Sequence, residues 1–387
     1  MAYHGDRALE KDKQGMTNGK INVMILIVSM PVGGVENQIV SVAQRLDHKK
    51  YNLSICCIKG LGLLGEKAAE MGIKTIALDL MKSSRFSLNV PYQISKVLKD
   101  NEVHILWTHQ YVANLYGRMA SLLAKTPVVI ATFRALYDSP KIHRSIFNHL
   151  LSYKTDKLVA VSKAVAADVT SFDRVSLEKI IIIYNGIDLS LFETKIPKKD
   201  CRKKLGLPEN DIIVGSTGRM SREKNHKIIV DAVKRLPLNV KGALIGDGPL
   251  RESLEQAGRN KFYFLGQLGY SFVPIALKAM DFYCFPSLWE GMPSALVEAM
   301  AVGLPIIASD IPPHREIMGE AGILVPAGNA DAFAKAINIL MDDHSLRNSL
   351  GKKAAARAKM FSIENTVKSY ESLFDEVIRG KTVHEAI

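Results

Sequence analysis

What most narrows the fold of this chain is a rhythm. Short apolar runs rich in Val and Ile alternate with longer amphipathic stretches along most of its length. Ile21–Ser29 is such a run, and its unbroken apolarity is that of a parallel strand covered on both faces. Leu53–Ile58, Leu64–Met71, Lys74–Leu78, Val90–Lys99, Val103–Trp107, Ala113–Ala124 and Val128–Thr132 then read as strand and helix in turn. Such an order predicts a doubly wound parallel sheet, an α/β fold whose ligands bind beyond the carboxyl ends of the strands. The rhythm breaks over Phe192–Asp211, rich in Lys and Pro, and resumes at Asp211–Thr217. A chain of 387 residues, 47% of them hydrophobic, is long enough for two such domains.

The most informative stretch lies in the second half. Asp281–Phe285 reads as a buried strand, Pro286 and Gly291 break it, and a helical pattern runs on to Gly303. Pro293 suits the first helical position and Gly303 a left-handed stop. Strand, loop and helix in that order leave backbone N–H groups free near Met292, Ser294 and Ala295, and a helix start of this kind attracts phosphate. Glu290 stands in the loop and Glu298 one turn inside the helix. Two carboxylates beside an anion site make sense when each takes a hydroxyl of a ligand that also carries phosphate. A sugar nucleotide has both groups. Arg219 and Lys224, in the loop after Asp211–Thr217, add a planar fork and a compact charge for phosphate oxygens.

In the first half, Gly33 and Gly34 between strand and helix let a backbone approach a ligand closely, although a tight turn alone explains them as well. They do not form the three-glycine dinucleotide fingerprint. His109 follows the strand at Val103–Trp107. Ile142, Ile146 and Leu150, with Phe147 and Leu151, form an apolar helical stripe beside Lys141, His143, Arg144 and His149. The stripe is expected to face the core, with a membrane-surface helix as the alternative. The net charge of +12 calls for an anionic partner: nucleotide-sugar phosphates or an anionic membrane. No nucleic-acid-binding module is recognisable, so no nucleic acid is expected. Cys56, Cys57, Cys201 and Cys284 lack metal or redox spacing and read as buried thiols of a cytoplasmic protein. Residues 1–20 are polar and charged, unlike a signal peptide, and are expected to be disordered.

Glu290 and Glu298, within Pro286-Ser287-Leu288-Trp289-Glu290-Gly291-Met292-Pro293 and the Gly303-ended helix, resemble the E-x7-E motif of retaining glycosyltransferases of family 4. Gly218-Arg219, with Lys224-Asn225, is similar to that family's Gly-Arg-x-x-x-x-Lys-Asn pattern, and Asn185-Gly186-Ile187-Asp188 to the turn that ends its first domain. The resemblance covers nearly the whole chain after Lys20. It implies a GT-B fold: two Rossmann-like domains facing each other across a cleft, the last helix crossing back to the first. The divisions expected are 21–191 for an acceptor-binding domain, 192–364 for a nucleotide-sugar-binding domain with 192–210 as linker, and 365–387 for the returning helix. It further implies that Gly33 and Gly34 face the donor phosphate and acceptor. His109 would reach the transferred sugar, and the backbone near Phe264 and Gly266 the base. Glu290 would hold sugar hydroxyls, Glu298 the ribose, and the loop Gly291, Met292, Pro293, Ser294, Ala295 the diphosphate, with Arg219 and Lys224 replacing a metal.

Relatives have Thr-x-His where this chain has Thr132-Phe133-Arg134. Arg134, with Lys141 and Arg144, is therefore expected to meet an acceptor phosphate or the membrane. The activity implied is metal-independent, retaining transfer of a sugar from a nucleotide diphosphate, UDP by preference. The acceptor implied is a glycan or lipid-linked glycan, as in surface polysaccharide synthesis. Rival functions are a nucleotide-sugar epimerase or hydrolase of the same fold, and a non-catalytic binder.

Overall fold

A computed structural model describes residues 19–81, 86–137 and 141–385. Lys82 and Arg85, whose charges would add to the basic side of the Ile142–Leu151 stripe, and most of the 1–20 tail lie outside the described residues. The chain forms two compact units, Met1–Tyr184 with Glu364–Ile387, and Asn185–Ile363.

The first unit runs β1 (Ile21–Ile27), α1 (Gly34–Arg45), β2 (Tyr51–Cys57), α2 (Leu63–Glu70), β3 (Lys74–Ala77), α3 (Asn89–Asp100) and β4 (Ile105–His109). It continues with α4 (Tyr111–Ala124), β5 (Val128–Phe133), α5 (Ile142–Ser152), β6 (Lys157–Ala160), α6 (Lys163–Asp173) and β7 (Ile180–Ile182). The strands are parallel in the order β3-β2-β1-β4-β5-β6-β7. All seven residues of β1 are buried, as its apolar run requires.

The second unit runs α7 (Lys198–Lys204), β8 (Ile212–Thr217), α8 (Lys227–Lys234), β9 (Val240–Ile245), α9 (Arg251–Gly258), β10 (Phe262–Gly266), α10 (Val273–Lys278) and β11 (Phe282–Phe285). Then come α11 (Ser294–Ala301), β12 (Ile306–Ser309), α12 (Pro312–Met318), β13 (Ile323–Val325), α13 (Ala330–Asp342) and α14 (His344–Ala358). Its six strands are parallel in the order β10-β9-β8-β11-β12-β13. Both sheets are doubly wound, and strand order reverses at β1/β4 in one and β8/β11 in the other. Those reversal points are where a crevice opens at the carboxyl ends.

The last helix, α15 (Ile363–Glu385), belongs almost wholly to the first unit. Its Tyr370 and Phe374 are buried, with ring centroids 4.3 and 5.5 Å from that of Trp107 in β4. Tyr51 donates its hydroxyl to Asp375 at 2.9 Å. Burying one such aromatic side chain contributes on the order of 1.5–3 kcal/mol, so the two rings are a firm attachment.

The division of the chain falls at Tyr184/Asn185, earlier than the 191/192 expected. Ile187 donates to Phe361 O and Ile363 to Ile187 O, both at 2.9 Å, which ties the Asn-Gly-Ile-Asp turn into the second unit. Pro293 also sits one place earlier than expected, as the cap before α11, while Gly303 adopts the positive φ of 78° required of a stop.

The larger correction concerns α5. The apolar stripe faces solvent: Ile142 is 78% exposed, Leu150 57% and Ile146 53%. The buried residues of α5 are Asn148 and Ser152. Asn148 is held because the unit interior beneath α5 is polar. It donates to Asp173 Oδ2 at 2.8 Å and accepts from the fully buried Arg118, while Tyr137 donates to the same Asp173 oxygen at 2.6 Å. Buried polar atoms without partners are costly, so this network dictates which face of α5 turns inward.

Candidate active site

The reversal point of the second sheet brings two loops together. After β8 the chain turns through Gly218, Arg219 and Met220 before α8, and it is anchored from below. Met220 N–H donates to Asp247 O at 2.8 Å and accepts at its own carbonyl from Leu250. The backbone of Gly246 runs so close that a Cβ there would stand 2.1 Å from Gly218 O, so only glycine fits. Gly246-Asp247-Gly248 is thus the support on which the Arg219 loop rests. At the end of that loop Asn225 takes a left-handed φ of 50°, which Asn tolerates better than most residues.

Lys224 crosses to the loop after β11, where its Nζ donates to Glu290 Oε1 at 2.6 Å and lies 5.2 Å from the centre of the Phe285 ring. Both side chains are mostly shielded, 20% and 11% exposed, so the pair is far less screened than a surface ion pair. Leu288 N–H donates to Glu223 O, binding the two loops through the backbone as well. Arg219 is exposed. Burial opposes ionisation of Glu223, but the Ser221 hydroxyl, Lys224 and Arg219 hold its carboxyl below the usual range. At α11, Leu296 and Val297 donate to Pro293 O, which leaves the amides of Ser294 and Ala295 outside the helix's own ladder.

Glu298, one turn further, is in a drier place. Burial pushes its carboxyl up to about 7, against the Tyr270 hydroxyl and Lys224, which pull it down. Tyr270 donates to Glu298, and burial with that carboxylate raises its own phenol. His314, at the start of α12, is fully buried beneath the Phe285 ring, centroids 5.1 Å apart. Its Nδ1 lies 2.7 Å from Ser309 O, so Nδ1 carries the proton. Burial lowers it to about 4, helped by Lys224 and opposed by Ser309 O and Glu290. His226, buried beside Lys224, is likewise lowered to about 4.

The first unit presents a different surface at its reversal point. Gly33 ends the loop after β1 as the cap of α1, and a Cβ on it would stand 2.2 Å from Glu36 Oε2. The Glu36 carboxylate folds back over Gly33 and accepts from Gln110 at 3.2 Å, while the space above Gly34 is open. His109 ends β4 with no exposure. Its ring centroid is 4.6 Å from that of Trp107, and its Nδ1 accepts the Nε–H of Arg134 at 3.1 Å. Burial, then the Arg134 charge, hold the imidazole well below its usual pKa.

The structure therefore joins Lys224, Glu290 and the α11 start, with Glu298 and Tyr270 one turn deeper. It sets Gly33, Gly34, His109 and Arg134 at the corresponding place in the other unit. Met292 is buried and its sulfur accepts from Asn185 N–H at 2.8 Å. Phe264 packs beside Met220, Leu244 and Leu254, and Gly266 O accepts from Gly246 N–H at 2.8 Å. Arg144 lies over the Tyr111 ring at 4.4 Å, and Lys141 is exposed. Sequence reading missed Glu36, Gln110, Tyr270 and His314. The position of His314 just past β12, and of Gln110 just past β4, was the available signal. Among the described residues no three His, Cys, Asp or Glu gather as a metal group, and no helix is long and apolar enough to cross a membrane. Burial pushes the Cys56 and Cys57 thiols up to about 12, which leaves both un-ionised.

Two family models match the chain. "Glycosyltransferase Family 4" matches residues 32–191, and "Glycosyl transferases group 1" residues 197–357. The UDP-Gal:alpha-D-GlcNAc-diphosphoundecaprenol alpha-1,3-galactosyltransferase of Escherichia coli is 27% identical over 386 residues, covering 93% of this chain and 97% of that one. The N-acetylgalactosamine-N,N'-diacetylbacillosaminyl-diphospho-undecaprenol 4-alpha-N-acetylgalactosaminyltransferase of Campylobacter jejuni is 29% identical over 276 residues, 68% of this chain and 72% of that one. Among solved structures, HepE of Anabaena in complex with UDP superposes with a TM-score of 0.82 at 20% identity, over 92% of this chain and all of that one, a likeness of fold. With one family model matched in each half and the fold shared throughout, the chain belongs to the family 4, group 1 glycosyltransferases of the GT-B fold.

Proposed function

We propose that this glycosyltransferase moves a hexose from a UDP-linked donor to a hydroxyl of a lipid-linked glycan, retaining the anomeric configuration and using no metal. The observation that carries this is the shielded Lys224–Glu290 pair, 2.6 Å apart, beside the start of α11 with Glu298 one turn inside. Transfer must break the bond between the anomeric carbon and a phosphate oxygen, and the electron pair stays on that oxygen. Lys224, the exposed Arg219 and the amides of Ser294 and Ala295 stabilise that growing charge. Glu290, held by Lys224, takes sugar hydroxyls, and Glu298 takes the ribose diol. The acceptor oxygen forms its bond to the anomeric carbon on the departing face, and its proton passes to the leaving phosphate oxygen. No protein nucleophile is needed for this course.

The acceptor side is supported by α5. Its exposed Ile142, Ile146, Phe147, Leu150 and Tyr153 stand beside Lys141, His143 and Lys154, in a chain of net charge +12. A groove of about 580 Å³ runs between that face and Phe172 and Arg174 of the neighbouring segment. Arg144, stacked on Tyr111 at the first turn of α4, sets the beginning of α5 near the carboxyl end of β4. An anionic bilayer fits such a face, each cation contributing on the order of 1 kcal/mol within a Debye length. The Escherichia coli and Campylobacter relatives, by their names, act on diphospho-undecaprenol-linked sugars, which agrees with a lipid-linked acceptor.

Incubation with a panel of labelled nucleotide sugars and a polyprenyl-diphosphate-linked sugar tests this. The expected result is free nucleotide and glycosylated lipid in equal amounts, with the donor's anomeric configuration in the product. Nucleotide without glycosylated lipid would make the chain a hydrolase, and tight binding without turnover a binder.

A further inference from the structure

Arg134 stands where the sequence pattern of relatives suggested another role, and its contacts give it a definite one. A neutral imidazole carries one proton on either of two nitrogens, and the partner of one nitrogen decides which. Arg134 can only donate, and its Nε–H points at His109 Nδ1, 3.1 Å away. Nδ1 must therefore be the lone-pair nitrogen and Nε2 the N–H. Among the described residues, that Nε2 has no hydrogen-bond partner, although His109 is wholly buried. A buried donor left unpaired costs about 1–3 kcal/mol, so a partner that arrives only with a ligand explains its persistence.

We infer that Arg134 is a positioning residue that fixes His109 as the Nε2–H tautomer, holding a single N–H ready for an oxygen of the bound substrate. That the oxygen is a sugar hydroxyl rests on the proposed function; the tautomer does not. The ring is kept from turning by Trp107, whose indole N–H donates to Thr132 Oγ1 at 2.8 Å. The charged and titratable groups around it are Arg134 from β5's end, Glu36 from α1 and Tyr370 from α15, the last two acting on Arg134. Burial above all, and then the repulsion of the same cation, keeps His109 neutral, so it cannot turn into a two-sided donor.

Nitrogen NMR of histidine-labelled protein, with His109→Gln to assign the signal, tests the inference. The wild-type signal should show a protonated Nε2 and a bare Nδ1, unchanged between about pH 5 and 8, the range in which a free imidazole titrates. In Arg134→Met it should exchange between the two neutral tautomers, while burial still keeps the ring uncharged. Turnover of the nucleotide sugar should fall about tenfold in Arg134→Met, the worth of one ordinary hydrogen bond. The same change made in His109→Gln, whose amide offers an N–H without any tautomer, should cost almost nothing further. A wild-type His109 that carries its proton on Nδ1, or that titrates in the range, overturns the inference even if no variant folds. So does an equal loss from Arg134→Met in both backgrounds. Should the tautomer be as stated while no nucleotide sugar is turned over, the lock stands and the proposed function falls.

Discussion

The two reversal points of the two sheets sit at the same place in similar folds, yet they are furnished oppositely. At β8/β11 the groups are paired: Lys224 with Glu290 as an ion pair, and the Glu298 carboxyl with the Tyr270 hydroxyl. At β1/β4 a neutral imidazole presents an Nε2–H without a partner among the described residues, the Arg134 cation is turned onto its other nitrogen, and the carboxylate there, Glu36, is folded back on its own helix. Charge opposite charge suits a ligand whose own charge changes in the reaction. Neutral donors suit hydroxyls, whose charge does not. Under the proposed function, this difference assigns the leaving group to the second unit and the sugar and acceptor to the first.

The sharpest way to break this comparison is to remove the paired charges. Lys224→Ala and Glu290→Gln should each cut turnover at least about a hundredfold, since one contact to developing charge is worth about 2.7–4 kcal/mol. Melting temperature should hardly change; near-normal rates in both variants would dissolve the distinction. Next comes the inverted helix of the first unit. Asn148→Ala should lower stability to urea by about 1–3 kcal/mol, because Asp173 and Arg118 lose a buried partner. Ile146→Ser on the exposed face should stay within about 0.5 kcal/mol. The reverse ranking would return the stripe to the core.

A smaller effect concerns the membrane. Flotation should find the protein on anionic liposomes at low salt and free at high salt, and Ile146→Asp with Leu150→Asp should weaken it about tenfold or more. Indifference to anionic liposomes at low salt would favour a water-soluble acceptor. Smallest of all is a proton. Burial keeps the Glu298 carboxyl largely protonated below about pH 7 in the free protein. Ribose hydroxyls donating to it favour the ionised form. UDP affinity should therefore fall as pH drops through about 7, and binding at lower pH should release protons, as calorimetry in two buffers would show. Glu298→Gln should abolish the release; unchanged release would mean another group titrates.

Much of this was legible in the sequence because unbroken apolar runs and helical periods alternated cleanly. The E-x7-E stretch and the Arg219–Lys224 loop stood out because each charge stands beside a helix start or a strand end, and the two stretches meet through Lys224 and Glu290. Helices α9, α10 and α12 were not read, being short segments punctuated by Gly and Pro; Tyr270 lies just before α10 and His314 within α12. The face of α5 was misjudged for a different reason. Periodicity reveals that a helix has two faces, but which one is buried depends on Arg118 and Asp173, contributed by segments far apart in the chain. Arg134 was set against an acceptor phosphate or the membrane because it departs from the family's Thr-x-His pattern; its contact with His109 leaves no trace in spacing.

The most direct measurement is calorimetric titration of UDP into the full chain and two variants, Arg219→Ala from the second unit and His109→Gln from the first. If the nucleotide diphosphate is held by the charged site, Arg219→Ala should weaken binding about tenfold or more, as expected for a lost charge-assisted contact worth about 1.5–3 kcal/mol. His109→Gln should leave it within about twofold, since one neutral donor directed at a sugar contributes little to a ligand without one. Equal losses in both variants, or a loss confined to His109→Gln, would contradict the division of labour between the two units.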